Sequence, residues 1–288
     1  MDLAPEQLAV FCARGQAVAD LVRLPFRRRA WKGPLGHWQG GGAGNSLDFH
    51  DHRPYSPGDD PRAINWQAYA RSGQYTLKLY RQEVSPAVDL CVDLSASMGV
   101  TPSKAARTAE LLYWSVECAH QSGAALRCYA WAGAAVEPLD PDRLLSHSWG
   151  PLTPRAEPPD FRAVPWRHGS LRVVISDLLW AGDPQHPLDA LADAQARAVL
   201  FAPFTREEAE PDWAGNLELE DCETRERRRQ RVDRGVAERY RAAYGRHFAC
   251  WETQAQKCGV SLARVNAGPD LAEALRPHLE SGAVEFVE

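Results

Sequence analysis

Apolar and polar positions follow two rhythms along this chain, and the changes between them outline its elements. Residues 5–22 place Leu8, Phe11, Cys12, Val18, Leu21 and Val22 on or near one stripe at helical spacing. From Pro25 to Asn45 the pattern dissolves into a basic, aromatic, glycine-rich stretch with Arg27-Arg28-Arg29 and Gly40-Gly41-Gly42, a composition that predicts a loop. In the stretch 46–86, Ser56-Pro57-Gly58-Asp59 predicts a turn, since proline presets the second position and glycine tolerates positive φ at the third. Asp60 then caps a short helix that starts at Pro61 and ends near Gly73, and Tyr75 to Tyr80 alternates like a strand with one solvated face.

From residue 87 the rhythm becomes strand–helix–strand. An apolar run ends at Asp93, and a helix over about 102–122 presents Ala105, Ala109, Leu112, Val116 and Ala119 on one face. Ala125–Trp131 predicts a strand paired with Ala135–Leu139, and Leu171 to Asp177 reads as a buried strand ending in an acid. A helix near 185–196 leads to the strand Ala198–Phe201. Leu217 to Val232 reads as a hairpin, 234–258 as a long helix ending at Gly259, and Val260–Val265 as the last strand. Asp270 caps a final helix that stops before Gly282. Strands alternating with helices predict an α/β fold with a doubly wound, mostly parallel sheet, preceded by a small helix/strand module. The expected divisions are 1–45, 46–86 and 87–288, the last with the hairpin near 217–232 as an insertion.

Composition narrows the picture. The 288 residues are 44% hydrophobic, enough for a substantial core, and the formal charge of −5 gives no electrostatic case for general nucleic-acid binding. Seven scattered cysteines without a Cys-x-x-Cys pair argue against a disulfide framework or a zinc ribbon. Asp2 and Glu6 stand where a secretory signal carries basic residues, and no run approaches the roughly 18 apolar residues of a membrane span. A soluble, cytoplasmic protein is the expectation.

The candidate chemistry lies where the first strong strand ends. Asp93, Ser95 and Ser97 form Asp-x-Ser-x-Ser at a strand's carboxyl end, and Asp177 ends the later strand, so both acids belong at the ligand-binding edge of such a sheet. Small, hard oxygen donors converging on one point suit Mg²⁺ or Mn²⁺. Strand-end and capping chemistry accounts for the same residue types. Other signals are weaker. His50-Asp51-His52 has no third ligand nearby, and the arginines between Arg225 and Arg231 fit a solvated hairpin and helix start. The Gly40–Gly44 run lacks the Gly-Lys-Ser/Thr of a P-loop, and neither Gly-x-Ser-x-Gly nor His-Glu-x-x-His occurs.

These residues resemble the von Willebrand factor A-like fold with its metal-ion-dependent adhesion site. More closely, the chain resembles the bacterial domain-of-unknown-function 58 family. That likeness rests on Asp48-Phe49, Arg53, Tyr55, Pro57-Gly58-Asp59-Asp60, Arg62, Ile64-Asn65-Trp66, Ala70-Arg71 and Glu83, on the turn Asp221-Cys222-Glu223-Thr224, and on Gly259-Val260 through Leu275. Asn65 departs from the aspartate typical of the family. The resemblance implies direct ligation by Ser95 and Ser97, water-mediated roles for Asp93 and Asp177, and a threonine contributed by a loop. Thr153 is the available one, and the prolines around it argue against a helix following. It further implies a non-catalytic, cation-dependent protein-binding domain that serves a MoxR-type AAA+ ATPase and a protein client as adaptor or co-chaperone. A Mg-dependent hydrolase or phosphotransferase using Asp93 as nucleophile, and a metal-free interaction domain, are the alternatives. Asp59, Asp60, Arg62 and Arg71 read as caps and local ion pairs, and Trp66 as a packing anchor.

Overall fold

The computed structural model describes residues 4–26, 47–82, 86–132, 135–140, 144, 159–192 and 196–287. The chain forms two units, one of Met1–Lys32 with Pro86–Glu288 and one of Gly33–Ser85.

The larger unit opens with α1 (Pro5–Ala19) and the two-residue strand β1 (Val22–Arg23). The smaller unit contains β2 (Leu47–Pro54) and β3 (Thr76–Gln82), an antiparallel pair with an irregularity at Phe49/Asp51, and α2 (Trp66–Ser72) between them. The Ser56–Asp59 turn forms as its residue types predict. The Asp59 amide donates to the Ser56 carbonyl, the Asp59 carboxylate accepts the Ser56 amide at 2.9 Å, and Gly58 takes φ 109°. Asp60 caps by accepting the Arg62 amide. The predicted helix from Pro61 to Gly73 is two pieces, a 3₁₀ turn (Pro61–Ala63) and α2. Ile64 breaks it by bridging to Leu77, while the Asn65 amide donates to the Thr76 carbonyl and the Asn65 side chain caps α2. Asn65 thus does the capping work of an aspartate.

Trp66, expected as a packing anchor, is 59% exposed and meets Tyr69 and Tyr75 edge-on. The side chains of His50-Asp51-His52 and Arg53 lie outside the described residues, as does the Gly40–Gly44 run.

The chain continues in the larger unit with β4 (Ala87–Asp93), α3 (Pro102–Gln121), β5 (Ala125–Ala132), β6 (Ala135–Leu139) and β7 (Leu171–Ile175). Then come α4 (Gln185–Leu191), β8 (Arg197–Phe204), the single turn α5 (Arg206–Ala209), the hairpin strands β9 (Gly215–Glu220) and β10 (Arg227–Val232), and α6 (Arg234–Lys257). The last elements are β11 (Ser261–Asn266), α7 (Leu271–Leu275) and β12 (Glu285–Phe286). Six strands form one sheet in the order β11-β8-β7-β4-β5-β6, parallel throughout except for β6. The α/β expectation holds. Val260–Val265 is not the last strand, because β12 follows it and pairs with β1, a match of two residues on each side that carries no periodic signal.

The central strands β4, β7 and β8 are buried on both faces, which explains why they read as continuous apolar runs. Alternate residues sort cleanly. Val88, Leu90 and Val92 of β4 join Leu111, Leu112 and Trp114 of α3 and Val18 and Ala19 of α1 on one side. Cys91, Val174 and Leu200 face Phe248, Trp251 and Ala255 of α6 on the other. Strand order reverses beside β4, where β5 lies to one side and β7 to the other. This is the switch point at which α/β sheets open a crevice beyond their carboxyl ends. Among the described residues, no helix is long and apolar enough to cross a membrane.

Candidate functional site

Asp93 closes β4 and is fully buried, and its carboxylate shapes the turn that follows. Oδ1 accepts the Ser95 amide at 2.9 Å, and Oδ2 accepts the Ser176 hydroxyl at 2.7 Å from the end of the neighbouring β7. Ser95 then heads a 3₁₀ turn, Ala96–Gly99, yet its hydroxyl makes no capping bond to the backbone. It meets the Ser97 hydroxyl instead, at 3.0 Å. That detail bears on the capping explanation of this motif. Thr101 is the residue that caps α3, accepting the Lys104 amide, so neither serine hydroxyl is needed as the cap of that helix.

Asp177 arrives from β7, buried beside them. Its Oδ1 accepts the Leu179 amide at 3.1 Å, and its own amide points at the Met98 sulfur. Leu178 holds φ 58°, a costly conformation for a branched-chain residue, and is fixed on both sides. Its amide donates to the Ser176 hydroxyl, and its carbonyl lies 2.8 Å from Nε2 of His247 on α6.

Lys104, in the first turn of α3, is buried and donates to Asp177 Oδ2 at 2.9 Å and to Glu208 Oε1 at 2.5 Å. Glu208 is itself held in a capping box with Thr205. Burial alone pushes the Asp177 carboxyl up. The Lys104 ammonium outweighs it, helped by the Leu179 amide and the Ser97 hydroxyl, and holds the group below the ordinary aspartate range. Burial likewise pulls the ammonium down, but Asp177 and Glu208 together raise it. Both groups are therefore charged at neutral pH.

A further carboxylate comes from the turn between β9 and β10. Glu223 Oε1 accepts the Ser97 amide at 2.9 Å, and Oε2 accepts the Ala96 amide at 3.3 Å. Asp221 shapes that turn by accepting the Glu223 and Thr224 amides.

Asp93, Ser95, Ser97 and Asp177 thus converge, whereas Thr153 and the Trp149–Pro158 part of its loop lie outside the described residues. Lys104, Ser176, Glu208 and Glu223 complete the surroundings, and sequence spacing pointed to none of them as site residues. A lysine in a first helical turn reads as solvated, and Glu223 lies 126 positions from Ser97. The signal available was the Asp221–Thr224 turn, already distinct in the sequence.

The donor set suits a small, hard cation. Neighbouring oxygens around an octahedral ion with bonds of 2.0–2.1 Å stand about 2.9 Å apart, and the two hydroxyls match that edge. No group of three or more His, Cys, Asp or Glu side chains placed to hold an ion occurs among the described residues. An ion here would lean on hydroxyls and water.

Residues 51–121 match the family described as Protein of unknown function DUF58. The matched residues run from β2 through α3 and so contain Asp93, Ser95, Ser97 and Lys104, while Asp177 and Glu223 lie beyond them. Two solved structures are similar to the chain. One is the conserved hypothetical protein BatB from Bacteroides thetaiotaomicron, at 14% identity, covering 69% of this chain and 99% of that one with a TM-score of 0.37. The other is an aerotolerance-related membrane protein from Bacteroides fragilis NCTC 9343 with multiple mutations to serines, at 14% identity, 69% and 98% coverage and a TM-score of 0.37. No curated protein matches the sequence.

Proposed function

We propose that the edge of the sheet at Asp93 and Asp177 is a non-catalytic, divalent-cation-dependent protein-binding site. Ser95 and Ser97 would hold Mg²⁺ or Mn²⁺ directly, and Asp93 and Asp177 through water. The observation that carries the reading is the Ser95–Ser97 hydroxyl pair, 3.0 Å apart and unused by the backbone. When bound, the ion supplies an electrophilic centre that a partner's acidic side chain completes. Asp93 orients the turn, Ser176 orients Asp93, and Lys104 neutralises Asp177, so little direct negative charge blunts that centre. The resemblance to the von Willebrand factor A-like fold adds a MoxR-type AAA+ ATPase as the partner and a protein client as the cargo, with this chain as adaptor or co-chaperone.

The hydrolase alternative asks Asp93 to attack as a nucleophile. Its two oxygens accept from Ser95 and Ser176, which favours a structural duty. One observation supports the metal-free alternative: Lys104 already places a positive charge on Asp177. Capture of a MoxR-type ATPase from the same source, in Mg²⁺ and in EDTA, separates the readings. Retention in Mg²⁺ and release in EDTA is the expected result. Equal retention in both would leave the metal-free domain, and Asp93-dependent turnover of p-nitrophenyl phosphate would point to the hydrolase.

A further inference from the structure

We propose that the β9–β10 turn is a removable plug for this site, in which Glu223 stands in for the carboxylate of a protein partner. The proposal rests on the protein-binding reading above and gives that site its regulation. Glu223 spans two consecutive amides, Ala96 and Ser97, with one oxygen on each, at 3.3 and 2.9 Å. Those amides flank the Ser95 and Ser97 hydroxyls, so this is where an incoming acidic side chain would have to lie. The chain's own carboxylate is already there.

The hairpin is built to leave. β9 and β10 pair with each other and form a sheet of their own, so lifting the turn breaks no bond of the central sheet. Most of their side chains are exposed. Within the turn, Asp221 accepts the Glu223 and Thr224 amides, and the Arg225 amide donates to the Asp221 carbonyl, which keeps the carboxylate presented as a unit. The buried cation of the site, Lys104, is committed to Asp177 and Glu208. The two amide hydrogen bonds that Glu223 makes here are of a kind that another carboxylate can replace.

The test compares wild type, Glu223→Ala and Glu226→Gln for binding of a hexaglutamate peptide in Mg²⁺ and in EDTA. Glu226→Gln removes a charge from the same exposed turn and so controls for general repulsion of the acidic peptide. If the turn is seated about nine-tenths of the time, Glu223→Ala raises apparent affinity about tenfold, because an occupied fraction scales the observed constant directly. Little change is expected for Glu226→Gln. Equal affinities for the two variants would overturn the plug, and Mg²⁺-dependent binding common to both would leave the underlying reading intact. A tenfold gain that persists in EDTA would support the plug and remove the cation from the site. Peptide binding by none of the three proteins in either buffer would overturn both.

Discussion

Lys104 shows how one side chain decides the electrostatics of the site. Its ammonium is buried between Asp177 and Glu208. Breaking a buried ion pair from one side leaves charge without compensation and costs about 3–5 kcal/mol. Lys104→Met is expected to lower stability by that amount in urea denaturation, with Glu208→Gln in the same background recovering part of it. His278 is a second residue whose charge state matters. Burial pulls its imidazole below the ordinary value of 6.5, although Nε2 lies 2.9 Å from the Arg264 carbonyl and that contact pushes the other way. A depressed histidine binds fewer protons folded than unfolded. Its contribution is therefore complete above 6.5 and is lost as pH falls through the folded value. The drop in melting temperature between neutral and mildly acidic buffer should be smaller in His278→Gln than in wild type. An equal drop would remove His278 from the account. At this scale the sequence singled out Asp93, Ser95, Ser97 and Asp177, which the structure brings together, because strand ends and a short motif mark them. It was silent on Lys104 and Ser176, whose roles depend on contacts 73 and 83 positions away.

Among the elements, α1 and α3 approach closely at Gly15. A Cβ added at Gly15 would stand 2.7 Å from the Trp114 amide nitrogen and 3.1 Å from the Glu110 carbonyl oxygen, both backbone atoms that cannot swing aside. Replacing glycine by alanine inside a helix ordinarily gains about 1 kcal/mol. Here overpacking, about 1–3 kcal/mol, wins. Gly15→Ala should lower the urea midpoint, and a raised midpoint would mean the helices pack less closely than described. The loop after β7 depends on α6 in a similar way. His247 reaches the Leu178 carbonyl and helps hold the strained residue that fixes Asp177 in place. Loss of that contact in His247→Ala should loosen Asp177 and weaken Mn²⁺ binding by several-fold, while His278→Gln leaves it unchanged. Element boundaries came through well where caps are strong. Thr101, Asp233 and Asp270 each accept a backbone amide at the start of α3, α6 and α7. The helix after Pro61 failed as a single piece because Ile64 and Asn65 are recruited by β3, a tertiary demand that local propensity does not carry.

For the larger unit as a whole, the two-sided burial of the sheet fixes where function can sit. Both faces of β4 and β7 are covered by helices, so the polar end of those strands is the place where the buried acids meet Ser95 and the half-buried Ser97. The α/β architecture was legible because continuous apolar strands and amphipathic helices alternate. The closure of β1 on β12 was not, since each contributes two residues from opposite ends of the chain. The same limit applies to the site. Its motif half is local, and its regulating half, Glu223, is brought in by the hairpin. The central claim is that the serine hydroxyls hold a divalent ion, and titration of Mn²⁺ followed by electron paramagnetic resonance of the free ion tests it most directly. Wild type should remove one Mn²⁺ per chain from solution, displaceable by Mg²⁺, and a folded Ser95→Ala, Ser97→Ala double variant should remove none. Identical free-ion curves for the two proteins would contradict the account.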